Sequence, residues 1–332
     1  DHYPPINDEK LTRAWRQFHK IEDDGKIGVI FGNGATELID LLIRTRSTTL
    51  KTWKTNDVDV QYQEYESACE RKGLEKVKDG RPADLTVIVN PNNPTGDFLE
   101  WKQMFQYVEE QVPQNGTLIV DESMLFWKGE SWKTDSFLGH LEDVQHWQKE
   151  KQIQVYVVQS WTKIFACTGL RIGSLVSFDT DQLTALNQQR PPWSLNTFAR
   201  QYLLQCFGPK GESYLKKTWN TTTEWNESLR KEISNRFGQE WTLYGLPWLS
   251  WIWIDCHSEE KQKAIVKASA KMGFPVRDGG LGYNKPTFFR VGIHEAKVHC
   301  EWLDHMSLLS SKVLLLQSRD RYIISRVKIL PI

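Results

Sequence analysis

VIVNPNNPTG, at residues 87–96, predicts a β-strand that stops abruptly in a turn of Asn, Pro and Gly. In open α/β sheets, the side chains just past the carboxyl ends of the strands line the ligand crevice. A plain Pro/Gly turn explains these classes of residue, but it does not explain two prolines, three asparagines and a closing Thr-Gly together. This stretch therefore predicts an α/β sheet and one edge of its ligand site.

Further strands are predicted by short apolar runs on both sides of this stretch. Each run is rich in β-branched side chains and lacks polar alternation, which is typical of strands covered on both faces. The runs occupy residues 26–31, 85–89, 117–120, 155–158 and 173–177, and helical patterns such as 99–111 lie between them. The alternation predicts an α/β fold, with a mostly parallel sheet sandwiched by helices.

Three segments are predicted along the chain. Residues 1–25 form an N-terminal arm and a short helix, and residues 26–210 form a large domain that holds the sheet. A long polar helix begins near residue 211, and strand-like runs follow at 249–254 and 288–292. Residues 211–332 are therefore predicted to form a smaller α+β domain, without a long flexible linker before it.

Composition and charge exclude several classes of protein. The 332 residues carry 42 Lys plus Arg and 42 Asp plus Glu, so no net basic field recruits nucleic acid or an anionic membrane. A charged fraction of 25% and a hydrophobic fraction of 39% are typical of a globular chain and exclude disorder as its main state. No apolar run reaches the length of about 18 residues that a membrane span needs. We expect a cytoplasmic protein without nucleic-acid or membrane partners.

The cysteines and tryptophans have ordinary structural explanations. Five cysteines are spread along the chain without a CxxC or Cys/His cluster of metal-ligand spacing, which predicts reduced thiols and no metal site. The 15 tryptophans are interpreted as filling of the core and of interfaces. Three Asn-X-Ser/Thr patterns, at Asn115, Asn220 and Asn226, are interpreted as chance matches to a glycosylation motif.

Two further strands end in residues that carry chemistry. TLIVDES at 117–123 places Asp121 at a strand end, where an aspartate is otherwise often only a helix N-cap. VVQSWTK at 157–163 places Lys163 just after the next strand, and TGLRIG at 168–173 adds Arg171. Most lysines lie at the surface, but this one directly follows a buried strand in a segment rich in hydroxyls and glycine.

Together these motifs resemble those of fold-type-I pyridoxal-phosphate enzymes, within the class I/II aminotransferases. NPNNPTG, VDES, SWTKIFACTGLRIG and FFRVGI occur in that family's order. GNGATELI at 32–39 is similar to both histidinol-phosphate aminotransferase and threonine-phosphate decarboxylase, whereas PPWSLN at 191–196 favours the decarboxylase. The resemblance covers roughly residues 1–305 and implies a seven-stranded-type sheet with a smaller C-terminal domain.

The resemblance implies pyridoxal 5'-phosphate as the cofactor and assigns roles around its ring. Lys163 holds the cofactor covalently as an imine, which requires an amine that can be neutral. Asp121 pairs with the ring nitrogen and keeps it protonated, so that the ring acts as an electron sink. Asn93 bonds the phenolic oxygen and borders the substrate. Tyr62 is implied to stack on the ring. Val60 stands where this motif usually has a proline, and a tyrosine at a strand edge more often packs in the core.

The cofactor phosphate needs several donors and positive charge. The N–H groups at a helix N-terminus suit an anion, hydroxyls add donors, and an arginine fork binds two phosphate oxygens. The residues implied for this role are Gly34, Ala35, Thr36, Ser160, Thr162 and Arg171, with Tyr3 reaching a phosphate across a dimer interface. GNGATELI alone would equally predict a plain capped helix.

Substrate recognition is predicted to centre on Arg290 in FFRVGI. It resembles the arginine that grips the substrate α-carboxylate bidentately and orients the Cα–H bond. An arginine between apolar residues could instead protect an edge strand from pairing. The family also implies a homodimer, because its active site borrows residues from the neighbouring subunit.

The chain departs from the family pattern at three places. Ser123-Met124 stands where the family commonly has Ala-Tyr, and a methionine cannot donate the hydrogen bond that the tyrosine gives to the phenolic oxygen. The segment that normally precedes the Tyr-Pro pair at Tyr3 is not found, and residues 308–332 match nothing expected there. An unusual reaction or reduced activity is therefore one expectation.

The function predicted first is transamination between an amino acid, or an amino-alcohol phosphate, and a keto acid. The alternative within the class is decarboxylation of a phosphorylated amino acid such as threonine phosphate, for which the same residues would serve. A catalytically silent binder that kept the fold is a third hypothesis, motivated by Met124 and the unusual ends. Dinucleotide binding is disfavoured because Gly32-Asn33-Gly34 lacks the third glycine of GxGxxG.

Overall fold

The computed structural model of the chain describes Tyr3, Pro5 and residues 8–46, 48–78 and 80–308. These residues group into two compact units that divide between Asn220 and Thr221, inside one long helix. The predicted boundary after residue 210 falls near the start of that helix, and the three-segment organisation stays a prediction. The C-terminal departure from the family pattern lies almost entirely outside the described residues.

The first unit contains a sheet and its covering helices. The strands are β1 (Gly28–Asn33), β2 (Thr52–Thr55), β3 (Glu75–Lys76), β4 (Leu85–Val89), β5 (Thr117–Asp121), β6 (Gln154–Ser160) and β7 (Ile172–Ser177). The helices are α1 (Glu9–His19), α2 (Ala35–Arg46), α3 (Glu64–Arg71), α4 (Trp101–Gln111), α5 (Leu141–Glu150), α6 (Trp161–Ile164), α7 (Thr180–Gln188) and α8 (Thr197–Cys206), and α9 (Pro209–Phe237) begins here.

The sheet has seven strands in the order β1-β7-β6-β5-β4-β2-β3. The neighbouring pairs β3–β2, β2–β4, β4–β5 and β5–β6 are parallel, whereas β7 runs antiparallel to both β6 and β1. Every residue of β4 and β5 is buried, as the runs without polar alternation predict. The expected mostly parallel α/β sheet flanked by helices is confirmed.

Helix start signals and bulky side chains explain how the first unit closes over its sheet. Asp8 accepts a hydrogen bond from the backbone N–H of Leu11 and so caps α1, which ends where Lys20 adopts a left-handed conformation. The tryptophans fill the core, as expected: several of those in this unit are less than 2% exposed, namely Trp15, Trp53, Trp147 and Trp161. Short 3-10 turns at Leu125–Lys128, Glu130–Asp135 and Phe137–Gly139 follow β5.

The second unit is the smaller α+β body that the sequence predicts. Its strands are β8 (Thr242–Tyr244), β9 (Trp251–Asp255), β10 (Arg277–Asp278) and β11 (Phe288–Gly292), paired antiparallel in the order β10-β11-β9-β8. Helices α10 (Glu259–Lys271) and α11 (Gly280–Tyr283) belong to it, and residues 296–308 are helical. Its core joins Ile252, Ile254, Phe289 and Val291 of the sheet to Trp302.

Three further observations bear on the expectations from composition. All five cysteines are free thiols. Within the described part of the chain, no helix is long and apolar enough to cross a membrane. The same residues contain no group of three or more His, Cys, Asp or Glu side chains arranged to hold a metal ion.

Candidate active site

Three predicted site residues follow neighbouring parallel strands of the large sheet. β4 ends before the turn that contains Asn93, β5 ends at Asp121, and β6 leads directly into α6, which contains Lys163. In the pairing register Val89 lies opposite Asp121, and Asp121 lies opposite Val158. β4 and β5 therefore end level, β6 continues past them to Ser160, and the three residues lie at one carboxyl edge of the sheet.

Asp121 is a buried carboxylate that accepts hydrogen bonds on both of its oxygens. The Tyr65 hydroxyl donates to Oδ2 at 2.8 Å, and the backbone N–H of Ser123 donates to Oδ1 at 2.8 Å. Burial raises the pKa of Asp121, while the hydrogen bonds from Ser123 and Tyr65 and the charge of Lys163 act to lower it. Asp121 does cap a turn, as the alternative interpretation has it, but it also faces a lysine.

Lys163 has an exposed side chain on the short helix α6. Its positive charge lowers the pKa of Asp121, so the two groups lie within electrostatic reach of one another. The strand end thus brings together an accessible amine and a buried carboxylate. This pairing distinguishes Lys163 from an ordinary surface lysine.

Arg171 lies directly over the start of α2. A Cβ atom on Gly34 would come within 2.5 Å of Arg171 Nη2, and the φ of +82° at Gly34 lies in the left-handed region that favours glycine. Gly173 of β7 packs as closely, since a Cβ there would lie 2.4 Å from the backbone nitrogen of Ala35. The guanidinium and the N-terminal N–H groups of α2 together form a cradle suited to an anion.

The hydroxyls predicted near the phosphate form a buried pair. Ser160 Oγ and Thr162 Oγ1 lie 3.0 Å apart, and the backbone N–H of Ser160 donates to Ser123 Oγ at 2.8 Å. Ser123, one of the departures from the family pattern, therefore joins the end of β6 to the turn that holds Asp121. Met124 is buried beside it and offers no comparable donor.

Tyr62 connects the turn before α3 to the anion cradle. The Tyr62 side chain is hydrogen-bonded to the side chain of Thr36. Burial raises the pKa of Tyr62, whereas this hydrogen bond lowers it. The charges of Asp121 and Arg171 also act on the Tyr62 hydroxyl. Tyr62 thus lies among the predicted site residues, and its predicted stacking role stays a prediction.

Asn92 makes structural contacts on both sides of the NPNNPTG turn. Its amide nitrogen donates to the Val60 carbonyl at 2.9 Å and to Thr95 Oγ1 at 2.7 Å. These bonds join the turn after β4 to the segment that contains Tyr62. Asn93 is partly buried in the same turn, at the edge of the sheet where Asp121 lies.

The PPWSLN segment lies against the N-terminal arm and the Arg171 loop. The Trp193 ring stacks on Tyr3 with centroids 4.5 Å apart, and Tyr3 is 78% exposed. Asn196 donates to the Leu170 carbonyl at 3.2 Å and caps α8 through the N–H of Ala199. In the described residues, no contact joins Tyr3 to the anion cradle, and its role across a dimer interface stays a prediction.

A cavity of about 320 Å³ lies beside this segment, between α1, β1 and α8. Its walls include Arg16, Arg190, Trp193 and Arg200. None of the residues predicted for the cofactor lines it, so this cavity and the chemically distinctive cluster lie in different places.

Arg290, in the second unit, faces another arginine. β10 and β11 pair antiparallel with Arg277 opposite Arg290. The Arg290 guanidinium lies 5.7 Å from the Trp251 ring centroid, and that of Arg277 lies 5.8 Å from the Tyr283 ring centroid. Burial lowers the pKa of Arg290; Tyr283 raises it and the charge of Arg277 lowers it further. Like charges directly opposite each other destabilise a strand pair.

A family model matches most of the sequence, including the strand ends that carry Asn93, Asp121 and Lys163. The model for aminotransferase class I and II matches residues 47–299, which is most of the chain. The chain belongs to the class I and II aminotransferases. The resemblance inferred from the four ordered motifs is therefore confirmed, and the expectation of pyridoxal phosphate is confirmed at the level of this family.

Relatives of this aminotransferase chain include enzymes of two kinds. Threonine-phosphate decarboxylase from Salmonella typhimurium is 27% identical over 219 residues, which cover 60% of this chain and 55% of that protein. Histidinol-phosphate aminotransferase from Listeria innocua is 22% identical over 300 residues, or 82% of this chain and 77% of that protein. The chain thus spans little more than half the length of the first of these relatives.

A solved structure of this aminotransferase class confirms the fold. Histidinol-phosphate aminotransferase from Sinorhizobium meliloti, crystallised in complex with pyridoxal-5'-phosphate, superposes with a TM-score of 0.77 at 14% identity. The match covers 94% of this chain and 83% of that one. At this identity the likeness concerns the fold alone.

Four residues at or beside these sites were missed by the sequence reasoning: Tyr65, Asn92, Ser123 and Arg277. Asn92 and Ser123 stand inside motifs that were singled out, so their neighbourhood was a usable signal. Arg277 stands in PVRDGG, where a charged strand residue before two glycines was the only signal. Tyr65 carried none beyond its closeness to Tyr62.

Proposed function

We propose that the chain is a pyridoxal-phosphate-dependent aminotransferase that moves an amino group between an amino acid, or an amino-alcohol phosphate, and a keto acid. The observation that carries the proposal is the electrostatic coupling of Lys163 to the buried Asp121 at the ends of β5 and β6. An amine and a carboxylate are the two groups that this cofactor most needs from its protein.

The residues at this sheet edge fit the chemistry of that cofactor. Its phosphate is a dianion, which suits the N-terminus of α2 and the Arg171 fork packed against Gly34. Its ring nitrogen is basic, which suits the buried carboxylate of Asp121. The remaining assignments are Asn93 to the phenolic oxygen, Tyr62 to the ring face, and Ala35, Thr36, Ser160 and Thr162 to the phosphate.

Each of these residues then has a defined task. When bound, the cofactor supplies an electron sink that stabilises negative charge at the substrate Cα. The neutral Nζ of Lys163 would accept the proton from that carbon and donate it to the cofactor carbon, as amino transfer requires. Asp121 holds a proton at the ring nitrogen, and Arg171 holds the phosphate so that the ring keeps one orientation.

The substrate is proposed to carry two anionic groups. Arg290 binds the α-carboxylate, and Arg277 on the facing strand supplies a second cation. Two guanidinium groups in register repel each other, and an anion bound to both relieves that repulsion. An amino acid with a phosphate or a second carboxylate on its side chain meets this requirement.

Decarboxylation of a phosphorylated amino acid is the second candidate, and the same observations support it. PPWSLN favours it, as does the threonine-phosphate decarboxylase relative. In this reaction the carboxylate, rather than the Cα proton, lies perpendicular to the ring, and the paired arginines would hold the substrate phosphate. Carbon dioxide release without any dependence on a keto acid would reject the transaminase in favour of this candidate.

The cofactor assignment is tested by reduction and peptide mapping. Purified protein is incubated with pyridoxal 5'-phosphate, treated with borohydride and digested. A pyridoxyl group is expected on the peptide that contains Lys163 and is expected to be lost in Lys163→Arg. A panel of amino and keto acids, including phosphorylated ones, then identifies the reaction. Protein that stays colourless and unlabelled contradicts the whole proposal.

We also propose that the enzyme is a homodimer, on the strength of the family resemblance. Tyr3 and Trp193 are exposed and stacked, as residues that meet a partner would be. Light scattering is expected to give twice the mass of the chain. A monomer that binds the cofactor fully would contradict the dimer without affecting the cofactor assignment.

A further inference from the structure

Tyr65 is a fully buried tyrosine whose hydroxyl is hydrogen-bonded to Asp121. It lies in the first turn of α3, is 0% exposed, and donates to Asp121 Oδ2 at 2.8 Å. Burial and the neighbouring carboxylate hold its pKa well above the ordinary value, so the hydroxyl stays protonated. The bond therefore runs from a neutral phenol to the carboxylate.

The bond leaves Asp121 able to bind a further group. A carboxylate has about four lone-pair sites, and here the Tyr65 hydroxyl donates to one oxygen, while Ser123 contributes its backbone N–H on the other oxygen and a side-chain hydrogen bond. These donors fix the plane of the carboxylate and use only part of its capacity. Because the site is buried, each donor favours the ionised form against a strong desolvation effect.

Tyr65 is also linked to the anion cradle through its neighbour. The rings of Tyr62 and Tyr65 meet edge to face, with centroids 6.2 Å apart and an angle of 78°. Tyr62 in turn shares its hydrogen bond with Thr36 at the start of α2. One short segment thus contacts both Asp121 and the cradle, and it sets the position of one relative to the other.

We propose that Tyr65 is a positioning residue that keeps Asp121 ionised and oriented toward the ring nitrogen of the bound cofactor. The inference rests on the proposed function and extends it to a residue that does not contact the reacting atoms. With the phenol in place, the shared proton lies on the ring nitrogen rather than on the carboxylate. Without it, burial shifts that proton toward Asp121 and weakens the attraction between the two groups.

The test replaces the hydroxyl alone, in the full chain. In Tyr65→Phe we expect the dissociation constant of pyridoxal 5'-phosphate to rise about tenfold or more, the size of a lost hydrogen bond to a charged group. With ¹⁵N-labelled cofactor, the ring-nitrogen signal is expected to move toward its unprotonated position. A residue with a merely structural role would not move that signal.

Tyr156→Phe is the matched control. Tyr156 is also buried, and its hydroxyl donates to Gln182 Oε1 at 2.6 Å, away from Asp121. This variant is expected to keep the wild-type dissociation constant and ring-nitrogen signal. Thermal melting of all the proteins checks their folding. Tyr65→Met provides a second variant without the hydroxyl if Tyr65→Phe does not fold, because the thioether side chain adapts to irregular core space.

The outcomes separate this inference from the proposed function. If the wild-type protein binds the cofactor and folded Tyr65→Phe matches it in both affinity and ring-nitrogen signal, the positioning role is wrong while the cofactor assignment stands. If Tyr156→Phe shows the same changes as Tyr65→Phe, the effect is general loosening of the core and the inference also fails. If the wild-type protein does not bind the cofactor, the proposed function itself is wrong.

Discussion

Asp121 and Glu122 are consecutive buried carboxylates that face opposite sides of the large sheet. Asp121 faces the core cluster of α2 and α3, where Tyr65 donates to it. Glu122 faces the other way and accepts hydrogen bonds from Ser136 Oγ and the Phe137 N–H, both at 2.8 Å. Successive residues of an extended chain point to opposite faces, so one peptide bond separates two environments.

The two environments differ in charge more than in burial. Asp121 has a cation, Lys163, within electrostatic reach. Glu122 has only neutral donors, the third being Gln159, and burial raises its pKa to about 7. Glu122 thus anchors the 3-10 turns that follow β5, whereas Asp121 is prepared for a cationic partner. Both carboxylates are buried, so burial alone does not explain why Asp121 and Glu122 have different roles.

The largest expected effect comes from removing the charge of Asp121. Asp121→Asn should lower the rate of the reaction about a thousandfold, the range seen when one preorganised electrostatic group is lost. Glu122→Gln, the same change one residue later, should keep the rate within a few-fold of the wild type. Steady-state rates of both variants with saturating cofactor provide the measurement. Equal losses in the two variants would mean that the two faces do not differ in function.

Glu122 should dominate the pH dependence of stability instead. Its folded pKa of about 7 lies above the ordinary 4.5, so between these values the folded protein keeps a proton that the unfolded chain has lost. Stability is therefore lost as the pH rises from 4.5 to 7, by about 3 kcal/mol at about 1.4 kcal/mol per pKa unit. In Glu122→Gln this part of the pH dependence disappears.

Urea unfolding of the apoprotein at several pH values between 4.5 and 8 measures this difference. The free energy of unfolding of Glu122→Gln, relative to the wild type, should increase steadily across the range. Asp121→Asn provides the comparison on the other face of the sheet. Parallel curves for the wild type and Glu122→Gln would show that Glu122 is already ionised in the folded protein at low pH.

Arg171 should affect cofactor affinity without changing either carboxylate. Arg171→Met removes the fork over Gly34, and we expect the dissociation constant of pyridoxal 5'-phosphate to rise about tenfold or more. Arg71→Met is the matched control, because Arg71 forms a surface ion pair with Asp40. Fluorescence titration measures both. An unchanged affinity in Arg171→Met would show that the phosphate does not bind in the cradle.

Sequence patterns could predict residues whose role depends on a strand end. Asp121 and Lys163 were found because buried strands stop just before or at them, and Gly34 because a glycine turn opens a helix. The mostly parallel sheet follows from the same apolar runs. The antiparallel direction of β7 and the two-residue strand β3 could not be predicted, because pairing partners far along the chain determine both.

Residues whose role depends on tertiary contacts could not be predicted from the sequence. Tyr65 lies 56 residues before Asp121 in the chain, and the bond between them forms only when α3 packs on the sheet. Arg277 acquires its meaning from the strand register that places it opposite Arg290. Such contacts leave no local pattern, whereas a strand that ends in a charged residue does.

An effect opposite in sign to that of Glu122 is expected from His19. This histidine is buried among Trp15, Phe18 and Trp132, and neither of its ring nitrogens has a hydrogen-bond partner among the described residues. Burial, and then the charge of Lys133, hold its pKa well below the ordinary 6.5.

As the pH falls below 6.5, the unfolded chain takes up a proton that folded His19 does not, so stability is lost toward acid. His19→Phe should raise the free energy of unfolding by about 1 kcal/mol at pH 7 and by more at pH 5, whereas His305→Gln, at an exposed histidine, should change neither value. A His19→Phe variant that is less stable than the wild type at both pH values would show that the imidazole makes a stabilising contact in the folded protein.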